Sequence, residues 1–276
     1  MVIDAHHHLW TRAYPWMAGD ELAPLRRPYT VDDLRAAVGG RVQRTVLVQA
    51  VGEQGETVEL LATAAGSGGL VAGVVGWVDL TAPDVADRIA ALRAGTGGEL
   101  LVGIRHQVQD EPDPGWLSRP EVRRGIAAVG AAGLAYDLLV RTPQLGAAAQ
   151  AVAELPEVRF VLDHLAKPPI AAGEWEPWAS GTAALARYPN VVAKLSGLVT
   201  EARWDDWDAA RIGRYARHAL ASFGPARCAF GSDWPVCTLA ARYGEVLDLA
   251  EQLTAALDPS QRADVFAGTA IRCYRL

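Results

Sequence analysis

The chain has 276 residues, of which 50% are hydrophobic and 21% charged, and its formal net charge is -6. This length provides for a large core, and α/β barrels of ~250 residues form single domains. The acidic balance and the lack of a basic stripe argue against nucleic acid as a partner. No run of about 18 apolar residues indicates a membrane span, and the first predicted strand begins at residue 2, so we expect neither a membrane anchor nor a signal peptide.

The three cysteines are an odd number without the close spacing of a metal site: Cys228, Cys237 and Cys273. We therefore expect reduced, mostly buried thiols in a cytoplasmic protein. Cys237 fits a small core residue better than a nucleophile, because no histidine pattern surrounds it.

Eight short apolar runs, rich in β-branched residues, recur along the chain with helical patterns between them. Continuous apolar runs are typical of parallel strands that are buried on both faces. The predicted strands are residues 2–6, 45–51, 71–78, 100–104, 135–140, 158–163, 191–195 and 227–230.

The intervening segments have apolar residues at helical spacing, and several begin with a capping signal such as Thr30 with Asp33, or Thr142-Pro143. The predicted helices are residues 31–38, 56–65, 84–94, 120–132, 142–153, 212–222, 239–257 and 260–267. Eight strands alternating with helices predict an α/β protein, a single (β/α)8 barrel domain over residues 1–276. An open dinucleotide-binding sheet is disfavoured, since histidines stand where its glycine fingerprint belongs.

Two long loops rich in tryptophan and proline, residues 10–29 and 168–180, follow the first and sixth predicted strands. In a (β/α)8 barrel such loops lie at the carboxyl ends of the strands, which is where active sites are found. We therefore expect both loops at the mouth of a substrate site.

The first strand runs directly into three consecutive histidines. Because side chains alternate between the faces of a strand, His6 and His8 point the same way and His7 points the other. Two imidazoles on one face can bind a metal ion or a reacting carbonyl group, whereas His7 fits a supporting contact. The alternative, a remnant of an expression tag, fits less well because the run is embedded between Val-Ile-Asp and Leu-Trp.

Further polar residues cluster at the ends of the other strands, where a barrel places its catalytic groups. They are Arg105, His106, Gln107, Asp137, Asp163, His164, Lys167, Lys194, Ser196, Glu201, Ser232, Asp233 and Trp234. For Arg105 and Lys194 a structural ion pair stays open as an alternative, and for Asp163 we favour a structural role. His218 falls within a predicted helix and is interpreted as an ordinary surface residue.

Seven sequence words spread in one order over nearly the whole chain resemble the amidohydrolase superfamily and, within it, the sugar-lactonase branch of L-fuconolactonase- and L-rhamnonolactonase-like enzymes. They are His-His-His-Leu-Trp (6–10), Tyr-Pro-Trp (14–16), Gly-Trp-Val-Asp-Leu (76–80), Gly-Ile-Arg-His (103–106), Leu-Asp-His-Leu-Ala-Lys-Pro (162–168), Lys-Leu-Ser-Gly-Leu (194–198) and Phe-Gly-Ser-Asp-Trp-Pro-Val (230–236). The resemblance implies a distorted barrel that hydrolyses cyclic esters of sugar acids. Some related members hydrolyse a pyrone dicarboxylate lactone, and some work without a metal.

The sequence departs from the two-metal members of that superfamily. The fifth strand carries Tyr136-Asp137 instead of a histidine, and the fourth carries Arg105-His106 instead of a bridging lysine. The resemblance therefore leaves two alternatives open. Either one divalent ion, zinc foremost, is held by His6, His8 and Asp233 together with His164, or no metal is bound.

Hydrolysis of a lactone requires a base for water, stabilisation of the oxyanion and a proton for the leaving oxygen. We hypothesise that Asp233 is the base and that His6, His8 and His164 surround the carbonyl oxygen, directly or through one metal ion. Arg105 and His106 are then expected to bind the carbonyl side or the hydroxyl groups of the substrate.

Nine tryptophans favour a sugar-like ligand, because flat aromatic rings stack on the C–H faces of a sugar ring. About half are expected to be structural. Trp10 is the foremost candidate for substrate contact, with Trp77 and Trp234, and further candidates in the long loops are Trp16, Trp175 and Trp178. Lys167 and Glu201 are candidate partners of substrate hydroxyls.

Two other functions compete with the lactonase hypothesis. One is a metal-dependent decarboxylase of the same superfamily, and the other is a non-catalytic sugar-acid binding protein, which has no need of an aspartate base beside several histidines. The expected partner is a small-molecule sugar lactone, and the sequence leaves assembly into a homo-oligomer open.

Overall fold

A computed structural model describes all 276 residues, and eight parallel strands form one sheet in which each strand pairs with the next along the chain. The strands are β1 Ile3–His7, β2 Arg44–Val48, β3 Val71–Gly76, β4 Leu101–His106, β5 Ala135–Leu138, β6 Arg159–Leu162, β7 Val191–Leu195 and β8 Cys228–Phe230. The sheet curls until β1 lies beside β8, where His7 bridges Trp234. The prediction of an α/β barrel is confirmed, and each predicted strand starts within one residue of an observed one.

Helices follow the strands in alternation, and no helix of the structure combines the length and apolar character needed to cross a membrane. They are α1 Val31–Val38, α2 Gln54–Ala65, α3 Val85–Ala94, α4 Pro120–Ala131, α5 Leu145–Glu154, α6 Trp178–Ala186, α7 Leu198–Glu201, α8 Ala209–Phe223, α9 Tyr243–Leu253, α10 Pro259–Ala263 and α11 Thr269–Tyr274. A π-helical turn, Asp264–Gly268, joins the last two.

Three predicted boundaries are wrong, each for a local reason. The helix predicted at 239–257 begins only at Tyr243, because Arg242 and Glu245 form a capping box there. The loop predicted at 168–180 becomes helical at Trp178, whose indole is fully buried and donates a hydrogen bond to the carbonyl of Leu165 at 2.7 Å. The helix predicted at 260–267 breaks into α10 and the π-helical turn.

The core has two parts that together fix the barrel. A large cluster of 70 buried residues fills the layer between the strands and the outer helices. A smaller cluster of 13 combines strand residues such as Ile3, Ala5 and Val161 with Cys273 and Tyr274 of α11. The C-terminal helix thus packs against the barrel interior, opposite the end at which the polar residues gather.

The contact between β1 and β8 depends on Asp4, which is fully buried. Its Oδ1 accepts hydrogen bonds from the backbone N–H groups of Ser232 (2.8 Å) and His6 (3.0 Å), and its Oδ2 accepts from the hydroxyls of Ser232 (2.6 Å) and Tyr243 (3.0 Å). Burial raises the pKa of Asp4 to about 6, although these hydrogen bonds act to lower it. One carboxylate therefore joins the first strand, the segment after the last strand and α9.

Replacing Asp4 with Ala should lower the free energy of unfolding by about 3 kcal/mol, because four donors lose their acceptor in a buried place. Urea denaturation followed by circular dichroism measures this change. Asp205→Ala is the matched control, since that side chain is 76% exposed and solvent screens its pairing with Arg203. Equal losses for the two variants would contradict the role of Asp4.

Candidate active site

His6 of β1 and His8, which directly follows this strand, converge at the carboxyl end of the barrel. The Nε2 atoms of His6 and His8 are 3.2 Å apart, and both residues are buried. His8 Nδ1 donates to the carbonyl of Val48 at 2.8 Å, which leaves the lone pair of His8 on Nε2. His7 faces away from this pair and hydrogen-bonds the hydroxyl of Thr45 at 2.9 Å.

His164 joins the pair through an unusual backbone turn. Four consecutive residues, His164 to Lys167, have left-handed conformations with φ between 50° and 59°. A glycine is required opposite the turn, because Gly197 has φ +65° and a Cβ there would lie 2.6 Å from His164 Nδ1. The same imidazole nitrogen is 2.9 Å from the hydroxyl of Ser196, so β7 fixes the orientation of the ring.

Asp233 completes the cluster from the segment that follows β8. Its backbone also has a positive φ, 58°, and its N–H donates to the carbonyl of His6 at 2.8 Å. Its Oδ1 lies 3.5 Å from His8 Nε2, 3.8 Å from His6 Nε2 and 3.9 Å from His164 Nε2. One carboxylate oxygen is thus surrounded by three imidazoles, at the end of the barrel where the sequence predicted them.

Burial and neighbouring charges keep this cluster in a defined protonation state. Burial lowers the pKa of His164 to about 4, and burial together with Lys194 lowers the pKa of His6 well below its ordinary value. Burial alone would raise the pKa of Asp233, but His164, His8 and Lys167 outweigh it and lower that pKa. At neutral pH the cluster therefore contains an ionised Asp233 beside neutral His6 and His164.

A network of four charged groups lies beneath the histidines. Lys194 Nζ contacts Asp137 Oδ2 at 2.6 Å and Asp163 Oδ1 at 2.9 Å, and both carboxylates are fully buried. Arg105 Nη1 donates to Asp163 Oδ2 at 3.0 Å, and its Nη2 donates to the carbonyl of Gln49. Of the alternatives left open by the sequence, the structure thus places both Arg105 and Lys194 in buried ion pairs, and Asp163 is their shared partner.

A cavity of about 380 Å³ opens above the cluster, within the range of sites for small ligands. Its floor is formed by His8, Arg105, His164 and Asp233. Its walls include Trp16, Gln109, Asp110, Arg141, Lys167, Thr200, Glu201 and Trp204. Lys167 and Glu201 pair across the wall at 3.4 Å, so both predicted hydroxyl partners lie in the cavity.

Three tryptophans that the sequence suggested for substrate contact lie elsewhere. Trp10 is buried, and its indole N–H donates to the carbonyls of Leu25 (3.0 Å) and Arg27 (2.9 Å), which anchors the first loop. Trp10 lines a second cavity of about 400 Å³ that contains none of the histidines. Trp234 is also buried and packs edge-on against Tyr29, while the indole N–H of Trp77 donates to His106.

His106 is likewise held outside the cavity. Its ring stacks on Trp116 with centroids 4.2 Å apart, its Nδ1 accepts from the Trp77 indole at 3.0 Å, and its Nε2 contacts Glu111 at 2.7 Å. The strand pattern predicted an active role because His106 directly follows Arg105. Both ring nitrogens are instead engaged by Trp77 and Glu111, neither of which lines the cavity.

Residues 168–180, predicted as a loop at the mouth of the site, do not line the cavity either. Trp175 and Trp178 pack against Tyr215 and His218 of α8, and His218 Nε2–H donates to the carbonyl of Ala179 at 3.0 Å. The sequence missed Arg141, Gln109, Asp110, Thr200 and Trp204 as cavity residues. All five lie in segments that follow strands β4, β5 and β7. Their position after a strand is the sequence feature from which a place at the cavity could have been predicted.

The donor set at the cavity floor fits one metal ion. His6 Nε2, His8 Nε2 and Asp233 Oδ1 lie 3.2 to 3.8 Å from one another, close to the spacing of ligands around tetrahedral zinc. The carbonyl of Val48 holds His8 in the tautomer that a metal ligand requires. A second set shares His6 and His164 with Asp163, but the oxygens of Asp163 already face Lys194 and Arg105.

The fold and the site define a (β/α)8 barrel protein with a histidine pair on the first strand and an aspartate after the eighth. The family model described as amidohydrolase matches residues 3–276, and the chain belongs to this family. It is 39% identical to an L-fucono-1,5-lactonase of Burkholderia multivorans over 99% of this chain and 96% of that protein, and 40% identical to one of Burkholderia ambifaria over 99% and 95%.

A crystal structure of an amidohydrolase from Burkholderia multivorans with bound zinc superimposes with a TM-score of 0.93 at 39% identity, covering 100% of this chain and 99% of that one. The predicted resemblance to the amidohydrolases is thereby confirmed.

A zinc ion held by this donor set would lose one of its three ligands in the His8→Ala variant, and its affinity should then fall by at least about 100-fold. Isothermal titration of the metal-free protein with zinc measures the affinity. His106→Ala is the matched control and should bind zinc as the unmodified protein does, since both of its ring nitrogens are engaged away from the cavity. A loss of affinity in the control would place His106 among the ligands.

Proposed function

We propose that this protein hydrolyses the lactone of a sugar acid, of the L-fucono-1,5-lactone type. The observation that carries the proposal is the ionised Asp233 carboxylate among three imidazoles at the floor of a cavity. The near full-length similarity of the chain to two L-fucono-1,5-lactonases supports the same reaction. The ester carbonyl of a lactone needs the base and the hydrogen-bond donors that this cluster combines.

In the proposed reaction Asp233 removes a proton from water as the water oxygen bonds to the carbonyl carbon. The oxyanion that forms is stabilised by His164 and by the guanidinium of Arg105, both of which border the cavity. The bond between the carbonyl carbon and the ring oxygen then breaks, and the proton held by Asp233 passes to that oxygen. The product is an open-chain hydroxy acid. Because the proton taken from water ends on the former ring oxygen, Asp233 is again ionised and can act as the base in the next turnover.

We propose zinc as the ion that this site binds, with His6, His8 and Asp233 as its ligands and His164 beside them. The donor set and its spacing support one ion. When bound, zinc supplies Lewis-acid polarisation of the carbonyl group and of water. Measuring the metal content of the purified protein, and its lactonase activity after chelation, separates a metal-dependent reaction from one that the residues perform alone.

The walls of the cavity suit a sugar ring. Trp16 and Trp204 offer aromatic faces for its C–H groups, in place of Trp10, and the Lys167–Glu201 pair offers a donor and an acceptor for hydroxyls. A panel of sugar lactones assayed with a pH indicator tests the proposal. Hydrolysis releases acid, whereas decarboxylation consumes protons and mere binding leaves the pH unchanged.

Replacing Asp233 with Asn should lower kcat for lactone hydrolysis by about 10³-fold or more, because the amide keeps the shape of the carboxylate but cannot accept the proton of water. Steady-state assays measure this loss, with and without added zinc. Asp110→Asn is the control, because its carboxylate borders the same cavity away from the histidines and should change kcat little. Near-normal turnover by Asp233→Asn would exclude Asp233 as the base.

Replacing Trp204 with Ala should raise KM about tenfold with a smaller change in kcat, since the stacking surface acts on bound substrate and transition state alike. Trp204→Phe keeps an aromatic face and should restore most of the affinity. Kinetic constants for the best lactone of the panel provide the comparison. An unchanged KM for Trp204→Ala would show that the ring does not contact the substrate.

A further inference from the structure

The buried side chain of Lys194 has a contact that the proposed hydrolysis does not use. Its ammonium group lies 3.0 Å from His6 Nδ1, in addition to its contacts with Asp137 and Asp163. An ammonium group has three donors and no acceptor. Lys194 donates hydrogen bonds to Asp137 Oδ2 and His6 Nδ1, and it forms an ion pair with Asp163 Oδ1. His6 Nδ1 must accept a hydrogen bond in this arrangement.

This contact decides where His6 carries its proton. A neutral imidazole has one N–H, so a ring that accepts at Nδ1 carries its proton on Nε2. His6 Nε2 faces His8 Nε2 at 3.2 Å, and His8 has its lone pair there because its Nδ1 donates to the carbonyl of Val48. Each of the three hydrogen bonds that connect Lys194, His6, His8 and Val48 then joins one donor to one acceptor.

The opposite tautomer of His6 has a second set of partners at longer range. A proton on Nδ1 would face Asp163 Oδ1 at 3.3 Å, and the lone pair on Nε2 would face the Arg105 guanidinium at 3.4 Å. In that state Lys194 loses the acceptor at His6 Nδ1, in a fully buried position. The shorter contacts of His6, 3.0 Å to Lys194 Nζ and 3.2 Å to His8 Nε2, favour the proton on Nε2.

We propose that Lys194 is a positioning residue that holds metal-free His6 with its N–H on Nε2, where it donates a hydrogen bond to His8 Nε2. The assignment concerns His6 as a zinc ligand of the candidate site, and in that respect it rests on the proposed function. A metal ligand instead needs a lone pair on Nε2. Zinc binding therefore requires His6 to carry its proton on Nδ1. The Nδ1–H then donates a hydrogen bond to Asp163 Oδ1, and the hydrogen bond from Lys194 to Nδ1 is lost.

Long-range ¹H–¹⁵N spectra of protein labelled at histidine distinguish the two tautomers directly, and His6→Asn identifies the His6 signals. We expect the Nε2–H form of His6 in the metal-free protein and the Nδ1–H form after zinc is added. His8 is the internal control, because Val48 should keep it in the Nδ1–H form in both states. Finding the Nδ1–H form of His6 without metal would overturn the proposal.

A charge-balanced double variant tests the part played by Lys194. Lys194→Met with Asp137→Asn removes one cation and one anion together, so the net charge of the network is kept. The fraction of His6 in the Nδ1–H form should rise, and zinc should bind roughly tenfold more tightly in calorimetric titrations, since one hydrogen bond no longer opposes binding. Unchanged zinc affinity in a folded variant would contradict the role of Lys194.

Lys167→Met with Glu201→Gln is the matched control, because it removes a similar pair that does not contact His6. It should leave the His6 tautomer as it is in the unmodified protein. The spectra of the unmodified protein decide the tautomer whether or not the double variant folds. Neither measurement uses a lactone, so a failure to hydrolyse lactones would contradict the proposed function and leave the His6 assignment standing.

Discussion

The closure of the barrel between β1 and β8 is the constraint on which the candidate site depends. The hydrogen bond from the Asp233 N–H to the His6 carbonyl, and those that Asp4 accepts from Ser232, hold the two ends of the sheet in register. Because His6 and Asp233 come from opposite ends of the chain, their separation of 3.8 Å is set by this closure. The first and last strands therefore build the site together.

The second requirement is charge balance beneath the histidines. Burying a charge is costly unless it is paired, and here Lys194 and Arg105 face Asp137 and Asp163. The burial and pairing that stabilise this network also decide which hydrogen-bond donors reach His6. The network therefore affects both the stability of the fold and the proposed reaction, since a change to its charges alters the electrostatic surroundings of the imidazoles above it.

The floor and the walls of the cavity have different origins in the fold. The floor residues stand at the ends of strands, where neighbouring strands restrict their positions, whereas Trp16, Arg141 and Trp204 come from connecting segments. Loops tolerate more change than strands do, and barrel enzymes alter their substrates through them. The reaction proposed here thus depends on the rigid floor, and the choice of lactone depends on the walls.

The amino-acid sequence by itself determined the order of the strands, the barrel and the polar residues at the strand ends, because strand periodicity and chain order are local properties. It also separated His7 from its neighbours. Only the tertiary structure decided that the tryptophan at position 10 anchors a loop and that His106 pairs outside the cavity, because each needed a partner distant in the sequence. The same reason applies to Lys194, whose role follows from the three residues that folding brings around its ammonium group.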